Sequence, residues 1–204
     1  MSSVVRLGLI GAGKWGRNYI KTIEKIKGVT LNKIACRSLE DKADLCESFE
    51  LTNNWKDISE SDEIDGIIIA TDPENHIEIA KQCIKNKKPL IIEKPITLNY
   101  KDAQNILNLS LINKVMVKVN HIYLYHPLYK ILMENSNNNL EIKSIYTIGG
   151  DYGPFRKNIS SLWDWGPHDL AMCLDIMQDL PLKIDASFIK NFPNKKSQNG
   201  NIKI

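Results

Sequence analysis

The six residues Gly11-Ala12-Gly13-Lys14-Trp15-Gly16 constrain this chain more than any other feature. They follow directly on Val4–Ile10, a run rich in Val, Leu and Ile that reads as a buried parallel strand. They open Lys14–Lys27, where Tyr19, Ile20, Ile23 and Ile26 recur at helical spacing and Gly28 stands where a helix stop belongs. Strand, glycine turn and helix in that order is the context in which a GxGxxG carries meaning. Gly11 permits the tight turn, Gly13 lets the backbone approach a pyrophosphate, and Gly16 lets the helix pack closely on the strand. Amides at the helix N-terminus would face the anion, with Ala12, Lys14 and Trp15 in the same cradle. The expectation is a bound dinucleotide; the plainer alternative is a glycine turn that only packs.

The pattern then repeats. Val29–Cys36 reads as a strand, Leu39–Phe49 as a helix and Ile64–Ala70 as an interior strand. His76–Asn86 reads as a helix, Pro89–Glu93 as a strand, Asn99–Leu111 as a helix capped by Asn99, and Val115–Val119 as a strand. This alternation predicts an α/β, doubly wound parallel sheet over residues 1–121. After His121 the texture changes. A short helix follows His126-Pro127, Asn135–Asn139 is a polar loop, and Ile142–Gly149 alternates like a strand. Residues 151–161 look irregular, and Gly166–Gln178 reads as a helix with Pro167 at its first position. Lys183–Lys190 reads as a last strand, and Asn191–Ile204 as a polar, poorly ordered tail. Residues 122–204 thus resemble the beginning of an α+β domain.

Composition excludes several classes. With 43% apolar and 25% charged residues among 204, the chain reads as soluble and globular. The net charge of +3 is spread out, and the short lysine groups (Lys85, Lys87, Lys88; Lys195, Lys196) read as solvated surface, so no nucleic-acid partner is expected. Cys36, Cys46, Cys83 and Cys173 fit no zinc or CxxC spacing, which argues for a reducing compartment and no metal. No signal peptide and no apolar run long enough to span a bilayer are visible, so a cytoplasmic protein without membrane contact is expected.

The ribose partner is informative. An acidic residue is usual about 20 residues beyond the glycines. Counting from Gly16 reaches Cys36, then Arg37 and Ser38, with no carboxylate. An arginine and a hydroxyl suit a 2′-phosphate, so the cofactor is NADP or NAD with NADP favoured. The alternative is a solvated Arg37 that accepts either.

Three further stretches narrow the reading: Ala70-Thr71-Asp72-Pro73-Glu74-Asn75-His76, Glu93-Lys94-Pro95, and Trp163-Asp164-Trp165-Gly166-Pro167-His168-Asp169. The first two follow strands and would lie beside the glycine turn, because ligands of open α/β sheets bind outside the carboxyl ends of the strands. With the GxGxxG, all three stretches, the last supplying an Asp-x-x-x-His before a helix, make the chain resemble the Gfo/Idh/MocA family of nicotinamide-dependent oxidoreductases from about Val4 to Met177. The resemblance implies a sugar, cyclitol or sugar-nucleotide substrate. The stretch His121-Ile122-Tyr123-Leu124-Tyr125-His126-Pro127 is similar to members that oxidise UDP-sugars in surface-polysaccharide pathways.

The resemblance also implies that Lys94, Asp164 and His168 form the catalytic group. A histidine suits removal of a hydroxyl proton near neutral pH, and an ammonium can stabilise a developing alkoxide. Thr71, Pro73, His76 and Glu93 join the cofactor contacts, His76 as a helix-start residue near the cofactor. His121, Tyr123, Trp163, Asp164 and His168 are the substrate candidates. For His126 a turn cap is the plainer reading. Each catalytic residue has a structural alternative: a Glu93 salt bridge for Lys94, a turn for Asp164, a helix cap for His168.

The chain departs from the family at its end, where members continue through a large open antiparallel sheet over which they associate. It is therefore expected to be a fragment, a frameshifted product, or a short form completed by another chain, with association between copies compatible with the resemblance. Two functional classes stay open: an oxidoreductase, and a non-catalytic dinucleotide-binding relative.

Overall fold

The computed structural model describes residues 4–136, 142–149, 161–189 and 199–203. Two units are distinguished, the first ending at Asn120 and the second beginning at His121.

The first unit is a six-stranded parallel sheet with the spatial order β3-β2-β1-β4-β5-β6. Its strands are β1 (Val5–Ile10), β2 (Val29–Ala35), β3 (Glu50–Thr52), β4 (Gly66–Ile69), β5 (Leu90–Glu93) and β6 (Val117–Asn120). The intervening helices are α1 (Lys14–Ile23), α2 (Ala43–Cys46), α3 (Lys56–Ser59), α4 (His76–Lys85) and α5 (Tyr100–Asn113). The order reverses between β1 and β4, and that switch point opens a crevice at the carboxyl ends of these two strands.

The alternation of side chains along each strand explains the layers. Leu9, Ile68 and Ile91 fall in one apolar cluster with Ile20 and Ile23 of α1 and Leu45 of α2. Their neighbours Ile10, Ile67, Ile69, Leu90 and Ile92 fall in a second cluster with Ile58 of α3, Ile79, Ala80, Cys83 and Ile84 of α4, and Ile106 of α5. Successive strand residues point to opposite faces, so each face is closed by its own helices. β4 is buried over its whole length, as a central strand covered on both sides must be.

Several expectations shift. The second helix is short, because a single 3-10 turn (Glu40–Lys42) leads into α2 and the chain then forms β3 at the sheet edge. Neither β3 nor α3 was expected; runs of three and four residues are too brief for periodicity to register. α1 closes at Ile23, and tighter turns carry the chain to Gly28, whose φ of +81° suits glycine. Asn99 does cap α5, its side chain accepting from the Asp102 amide at 2.9 Å.

The second unit contains α6 (Pro127–Ser136), α7 (Ser161–Met177) and an antiparallel pair, β7 (Asp185–Ile189) with β8 (Asn199–Lys203). α6 incorporates Asn135, the expected start of a polar loop. Ile142–Gly149 is not a strand, since no strand pairs with it among the described residues. Part of the expected polar tail, 199–203, is ordered as β8 by pairing with β7. The expectations for 137–139, 151–160 and 191–198 fall outside the described residues. α7 begins five residues before the expected start, which makes Pro167 its seventh residue. A proline there has no N–H for the carbonyl one turn back, whereas one in the first turn loses nothing. His168 therefore lies in the second turn and is not at the helix entrance. No described helix is long and apolar enough to cross a membrane.

Candidate functional site

The glycine turn sits at the switch point, between the end of β1 and the start of α1. Gly11 has φ +105°, and a Cβ there would lie 2.6 Å from the Ala70 carbonyl oxygen at the end of β4. A Cβ at Gly16 would lie 2.0 Å from the Gly11 carbonyl oxygen. Both positions exclude any side chain because backbone is already there. Gly13 is different. A Cβ on it would meet nothing within 4 Å, and its φ of −75° suits any residue. Nothing among the described residues requires glycine at 13, and the open space beside it is where a close-lying pyrophosphate would fit. Gly13 is also the N-cap of α1, with no side-chain cap and no acidic residue in the first turn. The first amides of α1 remain available to an anion. Ala12 is buried behind the turn, while Lys14 is exposed and Trp15 half-buried. This geometry fits a dinucleotide.

Around this turn the loops after β2, β4 and β5 converge at the same sheet edge. Arg37 and Ser38, after β2, are exposed. Arg37 bonds Asp72 at 3.1 Å, although both side chains are largely solvated and such pairs contribute little. Asp72 was not foreseen as a site residue; it places a carboxylate on the very arginine expected to meet a 2′-phosphate.

Thr71 and Pro73 follow β4, with Pro73 buried. His76 starts α4 and is fully buried. Its Nδ1 lies 3.1 Å from the Pro95 carbonyl oxygen and its Nε2 3.0 Å from the Thr71 carbonyl oxygen. Burial lowers its pKa, against the raising effect of these carbonyls.

Glu93, the last residue of β5, is buried. Its Oε1 accepts from the Tyr19 hydroxyl at 2.7 Å and from Asn120 Nδ2 at 2.8 Å, and Asn120 Nδ2 also donates to the Tyr19 hydroxyl at 2.6 Å. Burial, then Glu93, push the Tyr19 hydroxyl well above its ordinary pKa, so it stays a donor. From the sequence Tyr19 reads only as an apolar position of the helix, and Asn120 is not marked. The polar tip of a tyrosine in an apolar stripe was the available signal. Lys94, half-buried, follows directly and begins the loop after β5.

In the second unit, His168 is buried on α7 with Tyr123 edge-on, their ring centroids 4.7 Å apart, and with Trp165 at 6.2 Å. Asp164 lies four residues before His168 and so on the same helix face. His121 precedes a 3-10 turn (Ile122–Tyr125), and Trp163 is exposed. His126 caps α6, its Nδ1 accepting from the Leu128 amide at 3.2 Å. Asp169 accepts from Thr147, and burial raises its pKa.

The profile of an oxidoreductase family with an NAD-binding Rossmann fold matches residues 5–121. The chain is 24% identical over 189 residues to a UDP-N-acetylglucosamine 3-dehydrogenase of Acidithiobacillus ferrooxidans, covering 89% of this chain and 57% of that one. It is 25% identical over 131 residues to a 4-carboxy-2-hydroxymuconate-6-semialdehyde dehydrogenase of Sphingobium, covering 63% and 42%. The chain thus spans about half the length of these curated relatives. A solved structure from Magnetospirillum magnetotacticum, described as an inferred oxidoreductase, superposes with a TM-score of 0.83 at 32% identity, covering 98% of this chain and 66% of that one. GenD2 of gentamicin A biosynthesis, solved with NAD, shares the fold at a TM-score of 0.85 and 18% identity, covering 99% and 62%. With its glycine turn at the switch point of a 3-2-1-4-5-6 sheet and a family profile matching from β1 to His121, the chain belongs to the Gfo/Idh/MocA oxidoreductases.

Proposed function

We propose that this chain binds NAD or NADP on its first unit and transfers hydride between the nicotinamide and a secondary hydroxyl of a sugar or sugar nucleotide. The observation that carries the binding half is the contrast among the three glycines: backbone fills the space at Gly11 and Gly16, and nothing fills it at Gly13. Gly11–Gly16 and the first amides of α1 would hold the pyrophosphate. Arg37 and Ser38 would face the adenosine ribose, and Thr71, Pro73 and Lys94 the nicotinamide end. When bound, the dinucleotide supplies a hydride acceptor or donor.

The chain's own residues would handle the proton and the charge. His168 takes the hydroxyl proton on the imidazole as the carbon is oxidised. The Lys94 ammonium stabilises the oxygen as it gains negative charge. Asp164, one turn from His168, orients the imidazole or shares the hydroxyl. His121, Tyr123 and Trp163 would line the substrate side. Kinship with inositol and UDP-N-acetylglucosamine dehydrogenases supports a polyhydroxylated substrate.

The test is titration of the purified chain with NADH and NADPH, followed by cofactor fluorescence and melting temperature, and then a turnover screen over sugars and UDP-sugars. Binding with turnover supports the proposal. Absence of binding refutes it. Binding without turnover on any candidate favours a second reading, a dinucleotide-binding chain without its own catalysis.

A further inference from the structure

His76 is fully buried, yet it is not an inert part of the core. Both of its ring nitrogens face backbone carbonyl oxygens, and these belong to two different loops. Thr71 lies in the turn after β4, five residues earlier. Pro95 lies in the loop after β5, nineteen residues later and next to Lys94. β4 and β5 are neighbours, joined from Ile67–Leu90 to Ile69–Ile92, and the register ends at the level of these loops. Beyond it no ladder hydrogen bond ties one loop to the other, and the imidazole bridges them instead. On the far side of Lys94, Glu93 is fixed by Tyr19 and Asn120. Lys94 is therefore held from both sides, through Glu93 at the strand end and through the Pro95 carbonyl at His76.

We propose that His76 is a positioning residue, a ring-sized strap that sets the Glu93–Lys94–Pro95 loop against the Thr71 turn and thereby places Lys94 at the cofactor edge; this rests on reading Lys94 as a group that acts at the nicotinamide. The residue touches neither cofactor nor substrate, since it presents no surface. Its effect passes through two carbonyls. A neutral ring donates one hydrogen bond at a time, so the two contacts are not equivalent at any instant.

Three variants separate a strap from a core filler. H76F keeps a ring of similar size and loses the N–H donor together with both ring nitrogens. H76N can place an amide nitrogen near the Nδ1 position, and H76Q near Nε2, so each restores one donor. Hydrogen exchange followed by mass spectrometry reads the strap without any ligand. In H76F, amides in 71–75 and 93–97 are expected to exchange faster, while those of β1 and β2 keep the wild-type rate. At a temperature where circular dichroism shows the variant folded, its NADH and NADPH affinities are expected to weaken about five- to tenfold, in line with the loss of one net hydrogen bond. H76N and H76Q are expected to lie between H76F and wild type.

Wild-type exchange and affinity in a folded H76F would overturn the proposal. So would faster exchange spread evenly over the first unit with unchanged affinity, which is the signature of a general loss of stability. Should H76F not fold, the single-donor variants provide the comparison; if none of the three folds, the ring is a core component and the strap role is wrong. A wild-type chain that binds neither dinucleotide refutes the cofactor reading, and the exchange data still decide whether the two loops are strapped.

Discussion

Gly13→Ala and Gly16→Ala differ by one methyl group each, three residues apart, and should fail in opposite ways. At Gly16 the new Cβ would lie 2.0 Å from the Gly11 carbonyl oxygen, a backbone atom that no rotamer change can move. Relieving it requires a displacement of α1 by about 1 Å, and Ile20 and Ile23 of α1 are buried in one cluster with Leu9 of β1 and Leu31 and Ile34 of β2. Overpacking of this kind typically costs about 1–3 kcal/mol, offset in part by the better helix propensity of alanine, at up to about 1 kcal/mol. At roughly 2–4 °C per kcal/mol for a chain of this size, the melting temperature should fall by up to about 8 °C.

At Gly13 the Cβ meets nothing within 4 Å and the backbone is already in a common region. Alanine there should shift the melting temperature by no more than about 2 °C, because restriction of the unfolded chain and a slightly poorer cap nearly cancel. The methyl group would, however, occupy the space the pyrophosphate is proposed to use. NADH affinity should drop at least about tenfold, equivalent to about 1.4 kcal/mol. Differential scanning fluorimetry and fluorescence titration on the two purified variants check both halves. A Gly13→Ala chain that binds NADH like wild type would refute the placement of the dinucleotide over this turn.

Asp72→Asn removes the carboxylate bonded to Arg37 and a negative charge from the proposed 2′-phosphate site. The ratio of NADPH to NADH affinity should rise about three- to tenfold at low salt and less at high salt, as a screened surface interaction requires; titration at two ionic strengths checks it. Tyr19→Phe deprives Glu93 of one of its two donors. A loss of about 1–2 kcal/mol is expected, read as a lower urea midpoint at unchanged slope. His76 has a folded-state pKa below its ordinary 6.5, so protons bind the unfolded chain more strongly. Its contribution to stability is complete above about pH 6.5 and is lost as the pH falls below that value, so melting curves from pH 7.5 to 5 should show an acid slope that flattens in His76→Phe.

What the sequence disclosed follows from the range of each signal. Buried parallel strands such as β4 and the spaced apolar residues of α4 write their burial into short runs of neighbouring residues, and the order of elements follows from their alternation. Gly11 and Gly16 were legible because each answers a local steric demand from backbone, whereas Gly13 stands beside open space. β3 and α3 were hidden because so short a run carries no period. The Arg37–Asp72 pair joins residues 35 apart, and the Tyr19–Glu93–Asn120 set joins residues 101 apart; neither spacing has a sequence signature. Pro167 misled for a specific reason. Proline favours the first helical turn, and here the helix extends six residues before it, from Ser161.

The division of the proposed roles between the two units gives the sharpest separation of binding from chemistry. Gly11–Gly16, Arg37, Thr71 and Lys94 all precede Asn120, whereas Asp164 and His168 follow it. His168→Ala should therefore leave NADH affinity within about twofold of wild type, since a change under about 0.4 kcal/mol is what an uninvolved site shows. Its stability should fall, because the imidazole packs edge-on against Tyr123 at 4.7 Å and such aromatic contacts are worth about 0.5–1.5 kcal/mol beyond their buried area. Turnover on any substrate the wild type accepts should drop at least about a hundredfold, the usual scale of general acid–base catalysis. Lys94→Ala should lose turnover to a similar degree. Comparing the two variants by cofactor titration and by steady-state rate decides the assignment. An imidazole whose removal abolishes cofactor binding in a folded chain is not a proton acceptor for a substrate hydroxyl, and the role given to His168 would then have to pass to another group.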